Sequence, residues 1–122
     1  MATMNSEQWQ FLRDLSKLIS FVDEAGLSAV AGHLKRTVEE QRHMVSKGLS
    51  ETIDSKHIFS LAADIHIKID GKFSWDYEID RCKTLWECIG AYWEGLSPLN
   101  VWGGRFESLF DPDHFERDLS KK

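Results

Sequence analysis

Residues 63–75, ADIHIKIDGKFSW, decide the fold. Ile65, Ile67 and Ile69 alternate with Asp64, His66 and Lys68, which is the period of a strand with one face in a core and the other turned away. Asp70-Gly71 follows at once and suits a tight hairpin, so Lys72–Trp75 is expected as the return strand. On either side the apolar spacing becomes helical. Residues 6–25 carry Trp9, Leu12, Leu15, Ile19 and Val22 at three- and four-residue steps, with Asn5 as N-cap, Gln8 at N3 and Gly26 as the stop. Leu27–Lys35 fits a strand, and Thr37 with Glu40 forms a capping box that opens a helix to about Lys47, ending at Gly48. A third helix, from about Tyr77 to Glu94, buries Ile79, Cys82, Trp86, Ile89 and Trp93, and Gly95 and Pro98 end it. A turn at Trp102-Gly103-Gly104 and a short strand near Arg105–Phe110 then lead into DPDHFE at 111–116. The expected class is α+β: a small, largely antiparallel sheet packed with about three helices.

Size and composition narrow the function. The 122 residues, 42% hydrophobic, make a single domain over 1–122 with no room for a second of ordinary size. No apolar run approaches the ~20 residues of a membrane span. The N-terminus MATMNSEQWQ lacks a basic segment followed by an apolar one, so synthesis in the cytoplasm without a signal peptide is expected. A net charge of -5 with no basic stripe disfavours nucleic acid as a partner. Cys82 and Cys88 are six apart on a helix, ~600° of rotation, which argues against a disulfide; both are expected as small buried side chains.

The residues that carry chemistry are His57, Asp64 and His114. Two imidazoles and one carboxylate would leave one position open on a zinc ion, the mark of a catalytic site. His57 and Asp64 would stand ~10 Å apart on one straight helix. On one straight strand they would be ~23 Å apart on opposite faces. Only a bend after His57, for which Ser60 is placed, brings them together. Spacing alone favours the plainer reading of Asp64, a strand carboxylate facing water or a basic partner. In DPDH, Pro112 fits the first helical position with Asp111 as N-cap, so one helical turn would set Asp111 beside His114. An ordinary capping Asp with a fortuitous His fits equally well.

Four segments, in order, carry a resemblance: LKRTVEEQ, the SKH…AAD pair, YWEGLSPLNVWGG, and the final DPDHFE. Together they resemble the LAS-type zinc peptidases of bacterial cell walls, the VanX/VanY D-alanyl-D-alanine carboxypeptidase family, and most closely the phage L-alanyl-D-glutamate endolysins. The resemblance implies a Hedgehog/DD-peptidase-like fold and one zinc held by His57, Asp64 and His114. It makes Asp111 the general base and Arg36 the residue that polarises the substrate carbonyl, where the plainer reading pairs Arg36 with Glu39 or Glu40. It puts Gln41 in the motif that shapes the site, so Gln41 is a candidate substrate contact. Trp102 is another, as an indole that walls the cleft, but the plainer reading of Trp102, Gly103 and Gly104 is packing around a tight turn. Asp rather than Glu at 111 points to the endolysin branch and the L-Ala–D-Glu bond; a D-alanyl-D-alanine carboxypeptidase is the alternative. A non-catalytic wall-binding or phage structural module is the alternative from another class. Ser60 stands where many members have Gly, and Arg105 where Trp or Asp is frequent. The partner implied is the peptidoglycan stem peptide, met by a monomer after release from the cytoplasm through a membrane lesion such as a holin makes. His66 shares Asp64's strand face but stays outside the ligand set, and His33 and His43 are expected at the surface.

Overall fold

The computed structural model describes residues 3–35, 37–47, 60–107 and 109–121. Its elements are α1 (Met4–Glu24), β1 (Ser28–Ala31), α2 (Val38–Ser46), β2 (Ala62–Ile69), β3 (Lys72–Phe73), α3 (Ile79–Leu96), β4 (Asn100–Trp102) and β5 (His114–Arg117). The fold is α+β. The strands form one antiparallel sheet in the order β1-β2-β5-β4, with β3 folded back on β2. No described helix is long and apolar enough to cross a membrane.

β2 behaves as its alternation predicts: Ile65 and Ile67 are buried, while Asp64, His66 and Lys68 are half-buried on the other face. Asp70 (φ 51°) and Gly71 (φ 82°) both take left-handed backbone, as a two-residue hairpin of the favoured twist requires. The return strand stops at Phe73. Ser74 turns inward, where its hydroxyl accepts from Trp86 Nε1 (3.1 Å) and its carbonyl from Cys82 Sγ (3.5 Å). Thr37 and Glu40 form the expected reciprocal cap on α2.

Helix α1 differs in two respects. Its cap is Thr3 with Ser6, two residues ahead of the Asn5 and Gln8 expected, because Thr3 and Ser6 exchange both bonds of a capping box. Its buried stripe is Phe11, Leu15, Leu18 and Val22, whereas Trp9, Leu12 and Ile19 are 62%, 52% and 51% exposed. The helix carries two apolar stripes, and its partners choose between them: Phe11 meets Trp93 edge-on at 5.6 Å between ring centres. Along the chosen face Glu7 receives Arg117 Nε at 2.7 Å, and Asp14 receives Asn100 Nδ2 at 3.2 Å.

Helix α3 buries Cys82, Trp86, Ile89 and Trp93 as its spacing predicts, but it runs through Gly95 and stops at Leu96, two residues before Pro98. Both thiols are free, and Cys88 is exposed rather than buried. Among the described residues of the stretch 105–110, where a strand was expected, none forms. β4 precedes the glycine pair and β5 follows the DPD turn, because Gly103 bends the chain back against Asp111, whose N–H donates to the Gly103 carbonyl at 3.2 Å.

Candidate metal centre

The sheet itself sets the first two side chains together. Asp64 of β2 faces His114 of β5 across the antiparallel ladder. Ile65 N–H donates to Asp113 O and Arg117 N–H to Leu61 O, each at 2.8 Å. Those bonds make Asp64–His114 a pair without mutual backbone bonds, the kind whose side chains approach most closely. His114 Nδ1 accordingly lies 3.3 Å from Asp64 Oδ1. On the far side of β2, Gly32 N–H donates to Asp64 O (2.7 Å) and Asp64 N–H to His33 O (2.8 Å). Two residues thus oppose one, a β-bulge beside the site of the kind that re-aims side chains.

Asp111 arrives by a tight turn. The expected helical turn at DPDH does not form: His114 N–H donates to Asp111 O at 3.1 Å, and the chain passes directly into β5. Sheet pairing on both edges of β5 outweighs the local helix-start signal, yet the turn still sets Asp111 beside His114. Asp64, Asp111 and His114 each offer a ligand atom, all within 4.8 Å of one another. The turn is held from below. Trp102 Nε1 donates to Pro112 O at 2.7 Å, and a Cβ on Gly103 would lie 2.1 Å from Asp111 O.

Glu116 is the residue that sequence reasoning missed. It lies two beyond His114 on β5, hence on the same face, and its carboxylate takes His114 Nε2 at 2.8 Å. The signal was available, since strand alternation over His114–Arg117 pairs them. This bond commits Nε2–H and leaves Nδ1 toward the cluster, the arrangement that orients a metal-binding histidine. Burial opposes a charge on His114, but the bonds and charges of Asp64 and Glu116 outweigh it and push the imidazole up to about 9. Burial likewise raises the Asp113 carboxyl above the ordinary carboxylate range; the His66 contact opposes the rise, and the charges of Asp111 and Asp64 add to it.

The donor set fits zinc. Ligands ~2.0–2.1 Å from a tetrahedral zinc stand roughly 3.3 Å apart, which matches the Asp64–His114 separation. A buried imidazole backed by a carboxylate, with two further carboxylates alongside, is also a site that a divalent cation neutralises.

His57 and Arg36 lie outside the described residues. Ser60, where the bend was expected, has φ 55°. Trp102 is 1% exposed and its indole holds the Pro112 carbonyl, in keeping with the packing role; Gln41 is wholly buried, with interactions of its own. Arg105 reaches Glu87 (2.9 Å) and Glu94 (3.1 Å) and lies over the Trp102 ring, tying the glycine turn to α3.

The model of a family described as D-alanyl-D-alanine carboxypeptidase matches residues 49–117, a stretch that includes His57, Asp64, Asp111 and His114. No curated protein matches the chain. Among solved structures, the L-Ala D-Glu endopeptidase ChiX of Serratia marcescens is similar, with 26% identity and a TM-score of 0.61 over 77% of this chain and 69% of that one.

Proposed function

Since the chain belongs to the D-alanyl-D-alanine carboxypeptidase family, we propose that it is a zinc-dependent peptidase of peptidoglycan stem peptides, cutting the L-Ala–D-Glu bond as a phage endolysin or related wall lysin. The observation that carries this reading is the convergence of Asp64, Asp111 and His114 on one point of the sheet face. His57, Asp64 and His114 are the residues that would hold the ion, with Asp111 beside them as the base. The similarity to the Serratia L-Ala D-Glu endopeptidase, and Asp rather than Glu at 111, favour that bond.

A zinc ion held by these residues would supply Lewis acidity, able to lower the pKa of a water from about 15.7 toward 7 and to polarise a carbonyl. The chain's own groups do the rest. Asp111 takes the proton of the attacking water on a carboxylate oxygen and returns it to the leaving amine. Arg36 supplies a positive charge where the oxyanion develops. Glu116 holds His114 in one tautomer, and Trp102 and Gly103 fix the turn that carries Asp111. The reading has the protein act as a monomer, reaching the wall after release from the cytoplasm through a holin-type lesion.

Mass spectrometry of purified peptidoglycan after digestion tests the reading. The expected products are glycan-linked L-Ala and peptides beginning with D-Glu, formed by a protein carrying about one zinc per chain and lost with chelator or in His114→Ala. Loss of a terminal D-Ala would assign the carboxypeptidase reaction instead. Wall binding without any cleavage would assign a non-catalytic module.

A further inference from the structure

The face that bears the metal cluster holds one more ordered imidazole. His66 lies two residues beyond Asp64 on β2, so it projects from the same face. Its ring is held on three sides. Asp113 Oδ2 lies 3.0 Å from Nδ1, and Trp75 meets the ring edge-on, 5.1 Å between centres at 80°. Beneath it is the bulge residue Gly32, where a Cβ would lie only 2.4 Å from Nε2. The ring is half-buried, and among the described residues Nε2 has no hydrogen-bond partner.

This housing exceeds what a surface histidine needs. Fixing a half-exposed ring costs side-chain entropy that a solvated imidazole would keep, and only glycine at 32 leaves it room. The Asp113 contact lies on Nδ1, and an Nδ1–H donated to that carboxylate leaves Nε2 as the ring's acceptor. The complementary group on a peptide is a backbone N–H. A carbonyl or carboxylate would meet that lone pair with like polarity, on a face already lined by Asp64, Asp111 and Asp113.

We propose that His66 is a substrate-binding residue whose Nε2 accepts a hydrogen bond from a backbone N–H of the bound peptide beside the scissile bond, with Asp113, Gly32 and Trp75 as its positioning residues. This rests on the peptidase reading and names the group that grips the peptide chain.

The test compares wild type with His66→Leu, His66→Gln and Gly32→Ala on a soluble L-Ala–γ-D-Glu stem tetrapeptide. It measures KM, kcat, zinc content and Tm, and also the Kd of the uncleaved peptide in an Asp111→Asn background. Losing one neutral hydrogen bond predicts KM and Kd raised about five- to tenfold in His66→Leu. Gly32→Ala, whose Cβ would meet the ring 2.4 Å from Nε2 and also crowd Asp64 Cβ at 3.2 Å, gives at least the same rise in Kd. In His66→Leu, kcat stays within about threefold and zinc content is unchanged, and His66→Gln, which restores an acceptor, recovers part of the affinity. Unchanged KM and Kd would overturn the inference. So would loss of zinc in His66→Leu, which would make His66 a support of the metal site. A wild type that cleaves no stem peptide would overturn the peptidase reading, and this inference with it.

Discussion

Replacing Glu116 by Gln probes the centre through a residue that is outside the expected ligand set but holds one of its members, His114, at 2.8 Å. In the metal-free protein His114 is charged between Asp64 and Glu116, with its pKa raised from 6.5 to about 9. A raised folded pKa means that the native state holds more protons than the unfolded chain between those values. The stabilisation is therefore full below about 6.5 and is lost as pH rises through about 9. About 2.5 pH units correspond to roughly 3 kcal/mol. Glu116→Gln removes one of the two carboxylates that sustain the charge, and a substantial fraction of that pH-dependent stability should go with it. Zinc affinity should fall about 10- to 100-fold, the usual cost of losing such a partner. Urea unfolding of chelated wild type and variant at pH 6 and pH 9.5 measures the first effect, and competitive zinc titration the second. Equal pH slopes in the two proteins would refute the electrostatic account of His114. Unchanged zinc affinity would refute the role given to Glu116.

Four further outcomes are expected. Asp111→Asn should lower kcat by about 10²- to 10⁴-fold while zinc content, measured by atomic absorption, stays at the wild-type level. Gly103→Ala should destabilise by about 1–3 kcal/mol and depress activity, because its Cβ meets the Asp111 carbonyl. Gly95→Ala on α3, where a Cβ meets open space, should instead raise the Tm slightly. Glu7→Ala should cost about 3–5 kcal/mol in chemical denaturation, since it strands the buried Arg117 guanidinium.

What was legible in the sequence was what depends on near neighbours. The β2 alternation, the Asp70-Gly71 turn, the Thr37 cap and the α3 stripe each rest on contacts within a few residues, and each is found where expected. The misreadings arise where a distant partner decides. Helix α1 offers two apolar stripes, and only Trp93 and the residues around it select Phe11 over Trp9. DPDH carries a genuine helix-start signal, but β2 and β4 claim the following residues for the sheet. Asp64 and His114 are singled out in the sequence and the fold brings them together, yet nothing in a separation of 50 residues reveals that they are ladder partners. Glu116 escaped notice because its role depends on β5 being a strand. For Trp102 and Gln41 the sequence does not distinguish lining a cleft from packing beneath one.

The strand order has a consequence for how the molecule comes into being. β5 is the last strand in the chain, yet it sits inside the sheet, between β2 and β4. Until it inserts, β2 keeps an open edge, and β4 has no neighbour among the described strands. Asp111 and His114 arrive with that same insertion. The centre is therefore assembled at the moment the sheet closes, and a half-folded chain brings no hydrolytic site with it. Such late, long-range pairing is slow compared with helix formation. Recovery of activity during refolding should accordingly coincide with the slowest structural phase.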